Sequence, residues 1–184
     1  MNTTFLIVPG YTNSGPEHWQ SYLERKYQNV LRVQQDNWQS PQRDAWRDRL
    51  QETIESVSGD VFLVGHSCGA VAISQWAEKY HNSRVQGALL VAPADVDDPH
   101  TLEAIKIQRP LALQRLSFPA TLVCSDNDEF LSPQRAAWLA TQWGARLVTL
   151  AGAGHIHTAA GYGEWPEGEK MIQQLSGGKL LARQ

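Results

Sequence analysis

The chain has 184 residues, a formal net charge of −3 and a hydrophobic content of 42%, which is typical of one globular domain and excludes a disordered chain. The mild acidity and the lack of a basic run argue against nucleic acid or an anionic membrane as a partner. No apolar stretch reaches the roughly 18 residues of a membrane span, and the first residues lack a signal-peptide pattern. We therefore expect a single domain over residues 1–184, located in the cytoplasm. The sequence leaves the oligomeric state open.

Cysteine usage fits a reducing compartment. Cys68 and Cys124 are the two cysteines of the chain, and no metal-ligand spacing relates them. A reduced pair is expected rather than a disulfide, and no metal site is predicted.

Short apolar runs predict strands along the whole chain. The runs are continuous rather than alternating, as expected of parallel strands that are covered on both faces. They lie at Phe5–Val8, Val61–Val64, Ala88–Val91, Ala120–Cys124 and Leu147–Leu150, with a weaker candidate at Val30–Val33.

Helical periodicities occur between these runs. Ser40-Pro41 and Ser132-Pro133 are start signals for two of the helices, with Ser as N-cap and Pro at the first helical position. Alternating strands and helices with right-handed crossovers predict an α/β fold, a three-layer sandwich around a mostly parallel, doubly wound sheet. Ligands bind at the carboxyl ends of such strands. The apolar helix faces are Trp46-Leu50-Ile54-Val57, Ile73-Trp76-Ala77-Tyr80, Ala136-Leu139-Ala140-Trp143 and Met171-Ile172-Leu175.

A G-x-S-x-G pattern follows the run Val61–Val64, with Gly65 and Gly69 on either side of Ser67. A strand before the pattern and a helix after it form the context in which such a turn presents a nucleophilic serine. The turn is so tight that the two flanking positions must carry almost no side chain. Ser67 would lie at a helix N-terminus, where negative charge is stabilised. Cys68 is an alternative nucleophile, although it stands one position past the apex of the turn.

A serine nucleophile needs a base, and the base needs a carboxylate that orients it. His155 follows the last predicted strand in a glycine-rich loop, and His157 is its close rival. The loop after the preceding strand offers Asp128 as the carboxylate, with Asp126 and Glu129 as alternatives. The order Ser, Asp, His along the chain is the one expected for a serine nucleophile on this kind of sheet.

The loop after the first strand is expected to complete the site. Gly10 would let its backbone approach the serine, and the backbone N–H groups of Tyr11 and Cys68 would bind the developing oxyanion. Aromatic side chains near these loops are candidates for the substrate pocket, although helix packing explains the first two equally well. These candidates are His18, Trp19, Phe130 and Trp165.

Several blocks of the chain resemble the retinoblastoma-binding-protein-9-like serine hydrolases, a family of short α/β-hydrolases. The resemblance implies a compact α/β-hydrolase fold without a cap domain, a Ser67–Asp128–His155 triad, hydrolysis of ester or amide bonds, and no cofactor. The family often has Pro directly after the catalytic Asp, where this chain has Glu129. The blocks are Val8-Pro9-Gly10 with Ser14–Trp19, Gly65–Ser67, Ala92–Asp95, Ser125–Asp128, Gly154–Ile156 and Gly163–Gly168.

Two functions are compatible with these patterns. The first is an esterase-like serine hydrolase that takes a small-molecule substrate with a small or short acyl chain, because the segment from Ala92 to Pro119 is too short for a cap domain. Thioesters and amides are open alternatives, since the same triad serves all acyl transfers. The second is a protein-interaction scaffold on a hydrolase fold, with little or no physiological catalysis.

Overall fold

The computed structural model describes residues 2–184 and is built around a six-stranded sheet. The strands are β1 Thr3–Val8, β2 Val30–Arg32, β3 Asp60–His66, β4 Val85–Val91, β5 Ala120–Ser125 and β6 Arg146–Leu150. They lie in the order β2-β1-β3-β4-β5-β6, and every neighbouring pair is parallel. Each apolar run that predicted a strand, including the weaker one, lies at one of these strands. The doubly wound parallel sheet is therefore confirmed.

Five α-helices accompany the strands in residues 2–184: α1 Trp19–Lys26, α2 Arg43–Ser56, α3 Cys68–Lys79, α4 Pro133–Trp143 and α5 Pro166–Ser176. Four of them contain the apolar faces expected from the sequence. The helix α1 was not predicted, because over eight residues only Trp19 and Leu23 form its buried apolar stripe. None of the helices in this part of the chain has the length and apolar character needed to cross a bilayer.

The helices form two layers, one on each face of the sheet. On one face, α2, α3 and α4 pack against side chains that include Leu6 and Leu63. On the other face, α1 and α5 pack against side chains that include Phe5 and Phe62, whose rings stack at 5.3 Å between centroids. Successive side chains of the central strands are thus buried on opposite faces, which confirms the predicted three-layer sandwich.

The strand β6 departs from the expectation that every strand is covered on both faces. It is an edge strand, and the Leu147 side chain is 38% exposed. Val148 and Leu150 are only partly buried, against the α1 and α5 side of the core. The prediction that both faces of the strand are covered was therefore wrong for β6. In the part of the chain that the structure describes, no strand lies beyond β6 in the sheet, so its side chains are less covered than those of the central strands.

One of the two predicted helix starts is confirmed and the other is wrong. Ser132 is the N-cap of α4, and its hydroxyl accepts from the Arg135 N–H at 3.1 Å. At the start of α2, Ser40 instead belongs to a turn in which its N–H donates to the Asn37 carbonyl. The helix begins at Arg43, and the Gln42 side chain caps it.

The connection between β4 and β5 lies against the N-terminal end of α3. It contains the short 3₁₀ helix Glu103–Gln108. The Gln108 side-chain amide donates to the Cys68 carbonyl at 2.8 Å, and the Gln75 amide donates to the Gln108 carbonyl at 2.7 Å. These buried bonds fix the turn next to Ser67.

The junction between β1 and α3 requires glycine at position 69. A Cβ added at Gly69 would lie 1.8 Å from the carbonyl oxygen of Val8, and one added at Gly65 would lie 2.8 Å from the backbone nitrogen of Ala70. Side chains at these positions would push the helix away from the strands. The two glycines therefore allow the sharp turn between β3 and α3.

Replacing Gly69 by Ala should lower the free energy of unfolding by about 3 kcal/mol or more, because the backbones of β1 and α3 would have to separate. Urea denaturation measures the change. Gly15→Ala is the matched control, since a Cβ at Gly15 meets nothing within 4 Å. Equal losses in the two variants would contradict the steric explanation.

Candidate active site

Ser67 occupies the turn between β3 and α3 in a strained backbone conformation. Its φ is +58° and its ψ is −123°, a region that L-residues rarely adopt. Its N–H donates to the Val91 carbonyl at 3.0 Å. The Ser67 hydroxyl does not cap α3, so it is available to other partners.

The structure brings His155 and Asp128 to Ser67 from the loops after β6 and β5. His155 Nε2 lies 2.8 Å from Ser67 Oγ, and His155 Nδ1 lies 3.0 Å from both carboxylate oxygens of Asp128. An ionised carboxylate only accepts hydrogen bonds, so Nδ1 carries the proton and Nε2 can accept from the serine hydroxyl. The Asp128 side chain is fully buried, and its Oδ1 also accepts from the Phe130 N–H at 2.8 Å.

Three hydrogen bonds join the segment before Asp128 to the segment before His155. We call these two segments, residues 125–127 and 152–154, the loop clamp. Three successive side chains of the first loop accept from three successive N–H groups of the second. The donor and acceptor pairs are Gly152 N to Asp126 Oδ1 at 2.8 Å, Ala153 N to Ser125 Oγ at 2.9 Å and Gly154 N to Asn127 Oδ1 at 2.7 Å.

The loop clamp is the part of the site that sequence reasoning missed. Ser125 also donates to Asn127 Oδ1 at 2.7 Å, so the two side chains support each other. In the sequence, these small polar residues have the composition of an ordinary turn. The sequence did contain a signal for this contact. The polar residues stand at the end of one strand, and a glycine-rich loop follows the next strand along the chain.

The alternative acids and the rival histidine lie near the site without joining the hydrogen-bonded chain. Asp126 belongs to the loop clamp, and Glu129 is exposed at the rim of the cavity. The His157 ring is 5.5 Å from the His155 ring. Within residues 2–184, His155 is the histidine whose ring is hydrogen-bonded to Ser67.

Tyr11 and Cys68, the two residues expected to supply oxyanion N–H groups, line the same cavity as Ser67, and the preceding Gly10 approaches Ser67 closely. Gly10 permits this approach, because a Cβ there would lie 3.0 Å from Ser67 Cβ and 3.2 Å from the Cys68 nitrogen. No oxygen atom of residues 2–184 accepts from the Tyr11 or the Cys68 N–H. Both groups border the same cavity as Ser67.

The Cys68 thiol is poorly suited to act as a nucleophile. It is buried, and burial raises its pKa to about 12, although the Tyr11 amide and the Ser67 hydroxyl act in the opposite direction. The thiol therefore stays protonated near neutral pH, whereas a reactive cysteine needs a thiolate. Cys124 is also free and buried.

Ser67 lines a cavity of about 460 Å³, which is within the usual size range of small-molecule sites. Of the four candidate pocket residues, His18 and Phe130 border it. Trp19 and Trp165 lie outside the cavity in the core beneath α1 and α5, with ring centroids 5.2 Å apart. The Trp19 indole donates to the Ile156 carbonyl at 2.9 Å, so it supports the histidine loop from below. Leu102 and Ile105, which belong to the connection between β4 and β5, also line the cavity.

Two further histidines pack behind the site in neutral form. His66 Nε2 donates to the His155 carbonyl at 2.8 Å, and burial together with the neighbouring His18 and His155 holds the pKa of His66 well below its usual value. Burial, then His157, Arg32 and His155, lower the pKa of His18 to about 3. His18 Nδ1 accepts from the Gln20 N–H at 3.1 Å and caps α1.

The fold and this constellation define an α/β-hydrolase: a parallel sheet, a serine at the sharp turn after a central strand, and a histidine and a carboxylate on later loops. A serine hydrolase family model matches residues 5–174. The chain belongs to this serine hydrolase family, which confirms the class indicated by the sequence resemblance. No curated protein sequence matches the chain.

Solved structures agree with this assignment. A YdeN-like hydrolase from Pectobacterium atrosepticum is 31% identical, with a TM-score of 0.85 over 97% of this chain and 93% of that chain. The ydeN gene product of B. subtilis is 18% identical, with a TM-score of 0.77 over 96% and 100% of the two chains. Est1E from Butyrivibrio proteoclasticus is 15% identical, with a TM-score of 0.66 over 95% and 88%. At their lower identity, the last two show the fold alone.

Replacing Asn127 by Ala should lower the hydrolytic rate by about tenfold to a hundredfold, because the Gly154 N–H beside His155 loses its acceptor and small misplacements of catalytic groups are costly. Steady-state kinetics on a chromogenic ester measures this. Asn127→Asp keeps an oxygen acceptor and should retain more of the rate. Equal rates in Asn127→Ala and the unmodified protein would contradict a role of the loop clamp in alignment.

Proposed function

We propose that the protein is an esterase-like acyl hydrolase with Ser67 as nucleophile, His155 as general base and Asp128 as the carboxylate that orients it. The observation that carries this proposal is the unbroken hydrogen-bonded chain from Asp128 through His155 to Ser67 in the wall of the cavity. Membership of the serine hydrolase family supports it.

In the proposed acylation step, Ser67 Oγ forms a bond to the substrate carbonyl carbon while its proton moves to His155 Nε2. Asp128 stabilises the imidazolium, and its two contacts at 3.0 Å hold the ring in the productive tautomer. The tetrahedral intermediate collapses when the bond to the leaving group breaks, and His155 returns its proton to that group. The product of this step is an acyl-serine with a neutral histidine.

In the proposed deacylation step, a water molecule takes the place of the leaving group. His155 accepts a proton from the water as its oxygen attacks the acyl carbon, and the proton then returns to Ser67 Oγ as the acid departs. In both steps, negative charge develops on the former carbonyl oxygen. We assign the backbone N–H groups of Tyr11 and Cys68 to its stabilisation, together with the N-terminal end of α3.

The proposed substrates are small or short-chain acyl compounds. The cavity is lined by apolar side chains, which include Leu102 and Ile105, and by polar ones, which include His18 and Asn13. The cavity of about 460 Å³ suits a short acyl group together with its leaving group. Esters are the substrates of first choice, and thioesters and amides use the same chemistry.

Replacing Ser67 by Ala should abolish labelling by a fluorophosphonate probe and lower turnover by about 10⁴-fold or more, because the nucleophile is lost. Labelling on a gel and ester hydrolysis measure the two effects. Cys68→Ala is the matched control, since it keeps the backbone N–H and should remain labelled. Loss of labelling in Cys68→Ala, with labelling retained in Ser67→Ala, would overturn the nucleophile assignment. A folded protein that the probe never labels would favour the non-catalytic scaffold.

A series of p-nitrophenyl esters should show the highest kcat/KM for acetate to butyrate and a decline towards decanoate. The reason is that a long chain would extend beyond the cavity and leave apolar surface in water. Steady-state kinetics below the critical micelle concentration of each ester provides the comparison. A clear preference for the long chains would contradict the proposed substrate size.

A further inference from the structure

The cavity beside Ser67 is lined by a negatively charged side chain and by no Lys or Arg among residues 2–184. Within residues 2–184, no Lys or Arg side chain borders the cavity, and the carboxylate that borders it is Glu129. A second carboxylate, Asp128, lies directly behind His155 with its side chain fully buried. Glu129 is therefore the charged side chain that lines the cavity directly, whereas the nearby Arg32 lies behind Asn13 and is paired with Glu24.

Three histidines of the cavity wall, His18, His66 and His157, do not offset this negative charge near neutral pH. Burial lowers the pKa of His18 to about 3 and holds that of His66 well below its usual value. The pKa of His157 is also lowered, by burial and by His155, although the negative charges of Asp128 and Glu129 act in the opposite direction. These imidazoles stay neutral and act as dipoles rather than as cations.

Glu129 is held at the rim by the residues on either side of it. Asp128 Oδ1 accepts from the Phe130 N–H at 2.8 Å, and the Phe130 carbonyl accepts from the Asp95 N–H at 2.9 Å. The Glu129 side chain itself is exposed. None of the ion pairs within residues 2–184 involves the Glu129 carboxylate, so this charge is free to interact with a bound molecule.

Two aromatic residues, Phe130 and Tyr11, line the cavity together with Glu129. The Phe130 ring stands 4.7 Å from the His155 ring, and Tyr11 is a half-buried member of the cavity wall. Aromatic faces attract ammonium groups through the negative electrostatic potential above the ring. A carboxylate and two aromatic rings beside a nucleophile suit a cation better than a neutral or anionic group.

We propose that the site prefers esters that carry a fixed positive charge, with Glu129 as the residue that recognises it; this inference rests on the proposed function. The charge sits on the alcohol or on the acyl portion of the ester, because Glu129 and Ser67 line the same cavity. A partly exposed ion pair of this kind changes specificity by about fivefold, which corresponds to about 1 kcal/mol.

The experiment compares esters that have the same shape and differ in charge. Acetylcholine and 3,3-dimethylbutyl acetate form the pair for the alcohol side. The ethyl esters of 4-(trimethylammonio)butyrate and 5,5-dimethylhexanoate form the pair for the acyl side. For each pair, the ratio of kcat/KM for the cationic ester to that for the neutral ester is divided by the ratio of their rates of hydrolysis by hydroxide. This correction removes the difference in intrinsic reactivity between the two esters. We expect a corrected preference of about fivefold or more for the cationic member of at least one pair.

Glu129→Gln should reduce that preference by about fivefold, because it removes the charge and keeps the shape. Glu78→Gln is the matched control, since Glu78 is exposed on α3 away from the cavity, and it should leave the preference unchanged. The unmodified protein gives a test that needs no variant. Raising NaCl from about 0.01 M to about 1 M shortens the screening length from roughly 30 Å to roughly 3 Å, and the preference should fall.

Two results would overturn the inference while leaving the proposed function intact. One is Ser67-dependent hydrolysis of the neutral esters with no cationic preference in either pair. The other is a preference that Glu129→Gln leaves unchanged. A protein that hydrolyses none of the four esters would instead contradict the proposed function, and the inference would fall with it.

Discussion

The alignment of Ser67, His155 and Asp128 depends on how two loops are held against each other at the carboxyl edge of the sheet. His155 and Ser67 are 88 residues apart in the chain, so no local structure can set their distance. The loop clamp makes the connection, because consecutive N–H groups of one loop donate to consecutive side chains of the other. This geometry fixes the histidine loop relative to Asp128, and the parallel strands β5 and β6 fix both loops relative to the turn that carries Ser67.

Close packing at the turn itself provides the second constraint. Glycines at positions 65 and 69 let α3 approach β1 and β3, and Gly10 lets the first loop approach Ser67. The same approach that strains Ser67 also brings the Tyr11 and Cys68 backbones to one cavity. Backbone strain, the candidate oxyanion site and the position of the Ser67 hydroxyl at the cavity are thus consequences of one arrangement.

The sequence was sufficient for the repeating features of the fold, and it pointed to three residues that the structure connects by hydrogen bonds. Continuous apolar runs indicated buried parallel strands, and four helices followed from apolar residues at helical spacing. The glycine pattern around Ser67, and the positions of Asp128 and His155 in loops after strands, identified residues that the structure links in series, Asp128 to His155 at 3.0 Å and His155 to Ser67 at 2.8 Å. The strand and helix predictions succeed because periodicity is a local property of a sequence.

Other features were decided by the tertiary structure alone. The eight-residue helix α1 is too short for a clear periodic signal, and β6 is half-exposed because the sheet ends there. Trp19 and Trp165 look like pocket residues in the sequence, yet they pack together in the core beneath the histidine loop. The sequence by itself determined which residue types stand after which strands. Only the folded chain decided which side chains face the cavity and which support it, because burial and hydrogen bonding between distant segments arise from packing that no local pattern encodes.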